Sequence, residues 1–151
     1  MKDEARRRYP EEACGYLLGR PAADGAREVL EARPAVNRRS LERERRFLLD
    51  PETVLRAEDE AEAQGMEVVG FFHSHPDHHA IPSDFDREHA WPWYSYPIVP
   101  VANGETGRLR SWRLRDDRSG FVEESVEMEP PTDETEPARR GKAPRLSRRT
   151  A

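Results

Sequence analysis

The chain has 151 residues, 35% of them apolar and 36% charged, which allows one domain of ordinary size and not two. Its longest apolar run, Val68–Phe72, is interrupted by Gly70, well short of the ~20 residues of a membrane span, and Met1-Lys2-Asp3-Glu4 opens no signal-peptide core. One cysteine excludes an internal disulfide framework and every four-cysteine zinc site, so a soluble, cytoplasmic protein is expected.

The net charge of -5 hides an uneven distribution. Residues 130–151 hold six basic and three acidic residues, leaving 19 basic against 27 acidic in residues 1–129. An acidic body argues against nucleic acid as the partner, because phosphate binding needs a basic surface.

In chain order, Tyr16-Leu17-Leu18-Gly19 reads as a short buried strand ended by Gly19 and Pro21. A weaker strand follows over Glu28–Val36. Asp50-Pro51-Glu52 has the residues of a helix start: an N-cap, a proline at the first helical position and an acid at the positive dipole end. Val54, Leu55, Ala57 and Ala61 continue at helical spacing, and Gly65 closes the helix. Val68–His75 reads as a central strand, apolar on both faces. Three further strands are predicted over Pro97–Ala102, Leu109–Leu114 and Phe121–Met128, with turns at Asn103-Gly104 and Asp116–Gly120. From Pro130 onward prolines and charges dominate, so the domain is expected over 1–129, with a disordered charged tail over 130–151.

The chemistry concentrates at His73-Ser74-His75. Side chains at i and i+2 of a strand share a face, so two imidazoles can converge on one ion. Zinc accepts such nitrogens together with a carboxylate, and a catalytic site keeps a fourth position open. The alternative is a buried, hydrogen-bonded histidine beside a solvated one. His73-x-His75-x-Asp77-His78 also resembles the metallo-β-lactamase signature, which needs further downstream histidines. Only His79 and His89 follow, and none occurs in the last 62 residues.

A longer pattern accounts for more of the chain. Glu12-Ala13-Cys14-Gly15 opens the first strand; His73-Ser74-His75-Pro76 is followed after six residues by Ser83 and after two more by Asp86. This arrangement resembles the JAMM (MPN-plus) zinc metalloproteases over Tyr9 to Val126, and within them the prokaryotic branch acting on ubiquitin-like and sulfur-carrier proteins. The resemblance implies an α/β fold, a mixed sheet flanked by helices in the JAMM/MPN-like, cytidine-deaminase-like architecture. It implies one zinc held by His73, His75 and Asp86. It gives Glu12 the role of proton carrier, with Glu11 as the fallback, and Ser83 that of oxyanion donor. The implied reaction is cleavage after the C-terminal Gly-Gly of a ubiquitin-like or sulfur-carrier protein. The alternatives are a catalytically silent scaffold of the same fold and a zinc hydrolase of small amides.

Other positions receive plainer readings. Ser83 also suits a helix N-cap with Asp86 at the third helical position. Cys14 is expected to be a buried structural thiol, His78 and His79 solvated loop residues, His89 a surface residue, and Trp91 and Trp93 packing residues, with contact to an extended peptide near the groove as their alternative. Family members carry a strand and a longer helix before the glutamate, whereas eleven residues precede Glu12 here. The expectation is either a start placed too late or a truncated N-terminal strand, the latter leaving an apolar groove uncovered.

Overall fold

The computed structural model describes residues 1–36 and 49–129; the predicted tail lies outside the described residues. Helix α1 (Lys2–Arg8) leads into strands β1 (Cys14–Pro21) and β2 (Arg27–Ala35). Helix α2 (Pro51–Ala63), strand β3 (Glu67–Pro76) and helix α3 (Asp84–His89) follow. Strands β4 (Tyr96–Ala102), β5 (Glu105–Thr106), β6 (Arg110–Leu114) and β7 (Phe121–Glu124) complete a seven-stranded mixed sheet. Its order is β2-β1-β3-β4-β6-β7, with β5 hairpinned onto β4. Only β3 and β4 pair in parallel, and the connection between them carries α3. No described helix is long and apolar enough to cross a membrane.

Local chemistry explains most elements. Asp50 caps α2, one carboxylate oxygen accepting from the Thr53 amide and the other from its hydroxyl, both at 2.9 Å. The buried stripe of α2 is Thr53, Ala57 and Ala61, at i, i+4 and i+8; Leu55, expected in that stripe, is 61% exposed. Gly65 takes the left-handed conformation (φ +64°) that ends the helix. Asn103 and Gly104 both have positive φ, 51° and 77°, as a tight hairpin turn requires. β3 is buried from Val69 through Pro76, as a strand covered on both faces should be. β2 is an exposed edge strand, which is why its apolar signal was weak. β7 stops at Glu124 rather than running to Met128, because Glu124 pairs with Ser111 and β6 begins at Arg110.

The two sheet faces differ. Phe71, Tyr96, Leu114 and Ala90 form the core on the α2 side, with Leu49 and Val54 packed against it. On the other face Ala5 of α1 packs on Val99 and Val101, with Met1, Tyr9 and Leu109 around them. The expected uncovered face is thus partly closed by α1. A groove of about 760 Å³ opens beside it, bordered by Met1, Leu109 and Met128 and also by Lys2, Arg108 and Arg110.

Gly70 marks the tightest backbone approach in β3. Ser95 donates to Val69 and accepts from Phe71, both at 3.0 Å, and a Cβ on Gly70 would lie 2.1 Å from the Ser95 carbonyl oxygen. Gly70→Ala is expected to cost about 2 kcal/mol in urea denaturation, the scale of overpacking at an immovable backbone. Gly120→Ala is the control, since nothing lies within 4 Å of its added Cβ. Equal midpoints for the two variants would show that the β3–Ser95 contact is not held rigidly.

Candidate metal centre

His73 and His75 occupy the C-terminal end of β3, alternate residues on one face, 1% and 8% exposed. Asp86 arrives from α3, the element that crosses from β3 to β4. His73 Nε2 and His75 Nε2 stand 3.0 Å apart. Asp86 places Oδ1 3.4 Å from His73 Nε2 and Oδ2 3.6 Å from His75 Nε2. The three ligand atoms converge within 4.8 Å of one another, so the structure brings His73, His75 and Asp86 together.

The side chains are held from outside the site. His75 donates Nδ1–H to the His79 carbonyl oxygen at 2.7 Å, which leaves the Nε2 lone pair facing inward. His79 therefore acts through its backbone; its side chain, like that of His78, is exposed. Ser83 and Asp86 form a capping box: Ser83 Oγ accepts from the Asp86 amide at 3.1 Å, and Asp86 Oδ2 accepts from the Ser83 amide at 2.7 Å. This fixes the carboxylate while leaving the Ser83 hydroxyl proton free to donate. Tyr9, just after α1, donates to both Asp77 oxygens at 3.1 Å, tying that helix to the turn after the histidines.

The electrostatics favour ligating forms. Burial pushes the His73 pKa below its ordinary value, so the ring is neutral at neutral pH. Burial also pushes Asp86 upward, but His73, His75 and the Ser83 amide outweigh it and hold the carboxyl well below the usual range. With the Nδ1 proton of His75 committed to His79, its Nε2 lone pair faces His73 Nε2 at 3.0 Å, a contact that a His73 ring proton satisfies when no ion is bound and a cation replaces when one is. Tetrahedral zinc with bonds of about 2.0–2.1 Å sets its ligand atoms roughly 3.4 Å apart. The Nε2–Nε2 separation of 3.0 Å and the His73 Nε2–Asp86 Oδ1 separation of 3.4 Å lie near that spacing, while His75 faces the second oxygen, Oδ2, at 3.6 Å; two imidazole nitrogens and a carboxylate suit the ion.

Glu12 precedes β1 and is 4% exposed; Glu11 is half-buried. Cys14 pairs with His73, and Ala13 bonds Ser74 twice, amide to Oγ at 2.8 Å and carbonyl to amide at 2.9 Å. In this antiparallel register Glu12 falls opposite His75, on the face that carries both histidines. Ser74, which sequence reasoning passed over, is thus the buried clasp between β1 and the ligand strand. Its signal was available: a small hydroxyl residue between two inward histidines must point to the other face.

Trp91 and Trp93, expected as packing residues, are instead 54% and 57% exposed. With Tyr94, Phe85 and His89 they wall a cavity of about 320 Å³ that includes His73 and Asp86. His89 stacks on Phe85 at 4.1 Å, so this exposed residue also belongs to the wall.

Fold and site together are those of the JAMM class, an α/β domain with a His-His-Asp cluster at the end of a central strand. The family of prokaryotic homologs of the JAB domain matches residues 1–115, and the chain belongs to that family. A desampylase of Haloferax volcanii is 41% identical over 121 residues, 80% of each chain. A desampylase of Pyrococcus furiosus is 38% identical over 103 residues; the match spans 68% of this chain and just under two thirds, 66%, of that relative. A protein of Salinibacter ruber with a solution structure is 41% identical, with a TM-score of 0.66 over 87% of this chain and 86% of the other.

Cys14 is 1% exposed, and burial raises its thiol pKa to about 12. At pH 8 the thiolate is then about one part in ten thousand. An aromatic disulfide reagent should leave the folded protein unlabelled at pH 8 and modify one thiol per chain in urea. Rapid labelling of the native protein would show that the β1–β3 pairing opens readily.

Proposed function

We propose that this enzyme is a zinc isopeptidase that removes a ubiquitin-like modifier by hydrolysing the amide after its C-terminal Gly-Gly. The observation that carries this reading is the convergence of His73, His75 and Asp86, whose ligand atoms lie within 4.8 Å of one another. The similarity to two desampylases supports the substrate class, a ubiquitin-like modifier joined to an amine; sulfur carriers are included in the proposal for their Gly-Gly tails.

His73, His75 and Asp86 would hold the ion. Zinc at that point supplies a water of lowered pKa and polarises a carbonyl oxygen. Glu12, buried on the histidine face, accepts the proton of the attacking water and delivers it to the leaving nitrogen as the C–N bond breaks. The products are the carboxylate of the modifier and a free amine. Ser83 donates its hydroxyl proton to the oxygen that gains charge, a contact worth about 3 kcal/mol at comparable sites. Its lone pair is already engaged by the Asp86 amide, so one side chain sets both the ligand and the oxyanion. All these residues fall within 1–129, which we take as the catalytic domain, working in the cytoplasm. A silent scaffold would have no use for a complete ligand set, and no feature of the site favours small amides.

The test combines metal analysis with cleavage of a sulfur-carrier protein linked through Gly-Gly to a lysine side chain. The wild type should hold about one zinc per chain and lose activity on chelation. Glu12→Gln should keep its zinc and fold while activity falls at least ~100-fold. His75→Ala and Asp86→Ala should lose zinc together with activity. A fully active Glu12→Gln with an inactive Glu11→Gln would move the proton carrier by one residue. An active, metal-free protein would overturn the reading.

A further inference from the structure

The cavity that opens on the metal centre has no part in the chemistry just described, yet it is built. It holds about 320 Å³, at the small end of ligand pockets and sized for one or two side chains. Its floor is Phe71, Tyr96 and Ile98, and Trp91, Trp93 and Tyr94 stand at its mouth. The mouth is fixed rather than loose. Tyr96 accepts from the Trp91 amide at 2.7 Å, Tyr94 packs edge-on against Phe71 at 4.9 Å, and Arg27 of β2 bonds the Trp93 carbonyl. Among the described residues, two half-exposed indoles are thus held in place beside the candidate centre, the disposition of aromatic anchors at an interface.

We infer that this cavity takes the first bulky apolar side chain upstream of the glycine pair in the modifier's tail. The inference rests on the proposed peptidase reading, which supplies the direction. Glu12 must reach the leaving nitrogen, and Glu12 enters from the β1 side of β3. The cavity lies on the other side: among the described residues its lining comes from β3, β4, β7 and the two helices with their flanks, and from no residue of β1 or β2. It therefore belongs to the acyl side of the scissile bond. Its reach also fits. From His73 the floor runs two residues back along β3 to Phe71, about 7 Å at the rise of a strand. An extended tail covers the same span in two residues, and two glycines at the metal bring no side chain before that point. Apart from Glu58, His89 and the candidate ligands His73 and Asp86, the walls are aromatic and aliphatic, so an apolar side chain gains from desolvation while a charged one loses.

The probes are acetyl-Gly-Ser-Ala-Xaa-Gly-Gly aminocoumarin amides with Xaa as Leu, Phe, Ser or Asp, and the corresponding free acids. Zinc-loaded enzyme should cleave the Leu and Phe members with kcat/KM at least ~10-fold above Ser and Asp, the scale of burying one such side chain. The Leu and Phe acids should shift the tryptophan emission to the blue, a readout independent of turnover. Trp93→Ala should bring the Leu/Ser ratio toward one, and Trp93→Phe should preserve it. Cleavage of all four members at one rate would overturn the assignment and leave the peptidase intact. So would a preference that appears only when residues flanking the lysine of the leaving group are varied. Failure to cleave any member, or the intact carrier conjugate, with zinc bound would overturn the peptidase reading and the pocket with it.

Discussion

The site depends on the end of β3 being hydrogen-bonded along both edges. On one side Ser74 clasps Ala13 through its amide and its hydroxyl; on the other His73 to Pro76 run parallel to Ile98–Val101 of β4. A strand end is ordinarily the part that frays. Here it is buried through Pro76, so the two imidazoles inherit the rigidity of the sheet. The parallel pairing has a second consequence. Consecutive parallel strands need a crossover, and the crossover places a helix start outside the carboxyl end of the strand. That start is Ser83-Asp84-Phe85-Asp86, whose capping box turns one carboxylate back toward the histidines. The third ligand is thus a by-product of closing the β3–β4 connection.

Burying two imidazoles and a carboxylate is costly by itself. The neighbouring groups reduce that cost without neutralising the chemistry. Every partner assigned to the three ligands fixes a lone pair or a proton: the His79 carbonyl takes the Nδ1 proton of His75, and the Ser83 amide steadies one Asp86 oxygen. Cys14 beside His73 shows the same environment from the other direction, its burial keeping the thiol protonated.

What was legible in the chain follows from range. Caps, turns and the central strand depend on residues within four positions, and Asp50, Asn103-Gly104 and Val68–His75 announced them. The convergence of His73 and His75 was legible from strand parity alone. Asp86 and Glu12 were not, since nothing local ties a carboxylate to a strand elsewhere; they entered through resemblance to a family. β5, two residues long, owes its existence to the Asn103-Gly104 turn and has no periodicity to detect. The tryptophans misled because burial is the usual destination of large aromatic residues, and only the surrounding surface tells a wall from a core.

The wall itself is governed from the far edge of the sheet. Irregular pairing at Leu17, Leu18 and Gly19 bends the β1–β2 hairpin, and its tip then reaches strands that are remote in the sheet order. Arg113 of β6 donates to the Gly25 carbonyl, and Arg27 lies 3.6 Å from Glu124 of β7 while bonding the Trp93 backbone. Glu124 in turn accepts from Ser95, Ser111 and Arg113 at 2.9–3.2 Å. One partly buried carboxylate thus joins the hairpin tip, two strands and the segment that follows the tryptophans. A polar hub of this kind specifies geometry more than it adds stability, because each partner is satisfied in only one arrangement. The same carboxylate marks the end of β7, so the strand gives up its final pairs where its side chain is committed to holding the loop. Metal ligands and cavity mouth are therefore set by separate devices, the first by the β3–β4 crossover and the second by the closure of the sheet's opposite end. The two meet only in the cavity itself, where His73 and Asp86 share a lining with Trp91 and Trp93, so the sheet's opposite end shapes the approach to a cluster that the crossover holds.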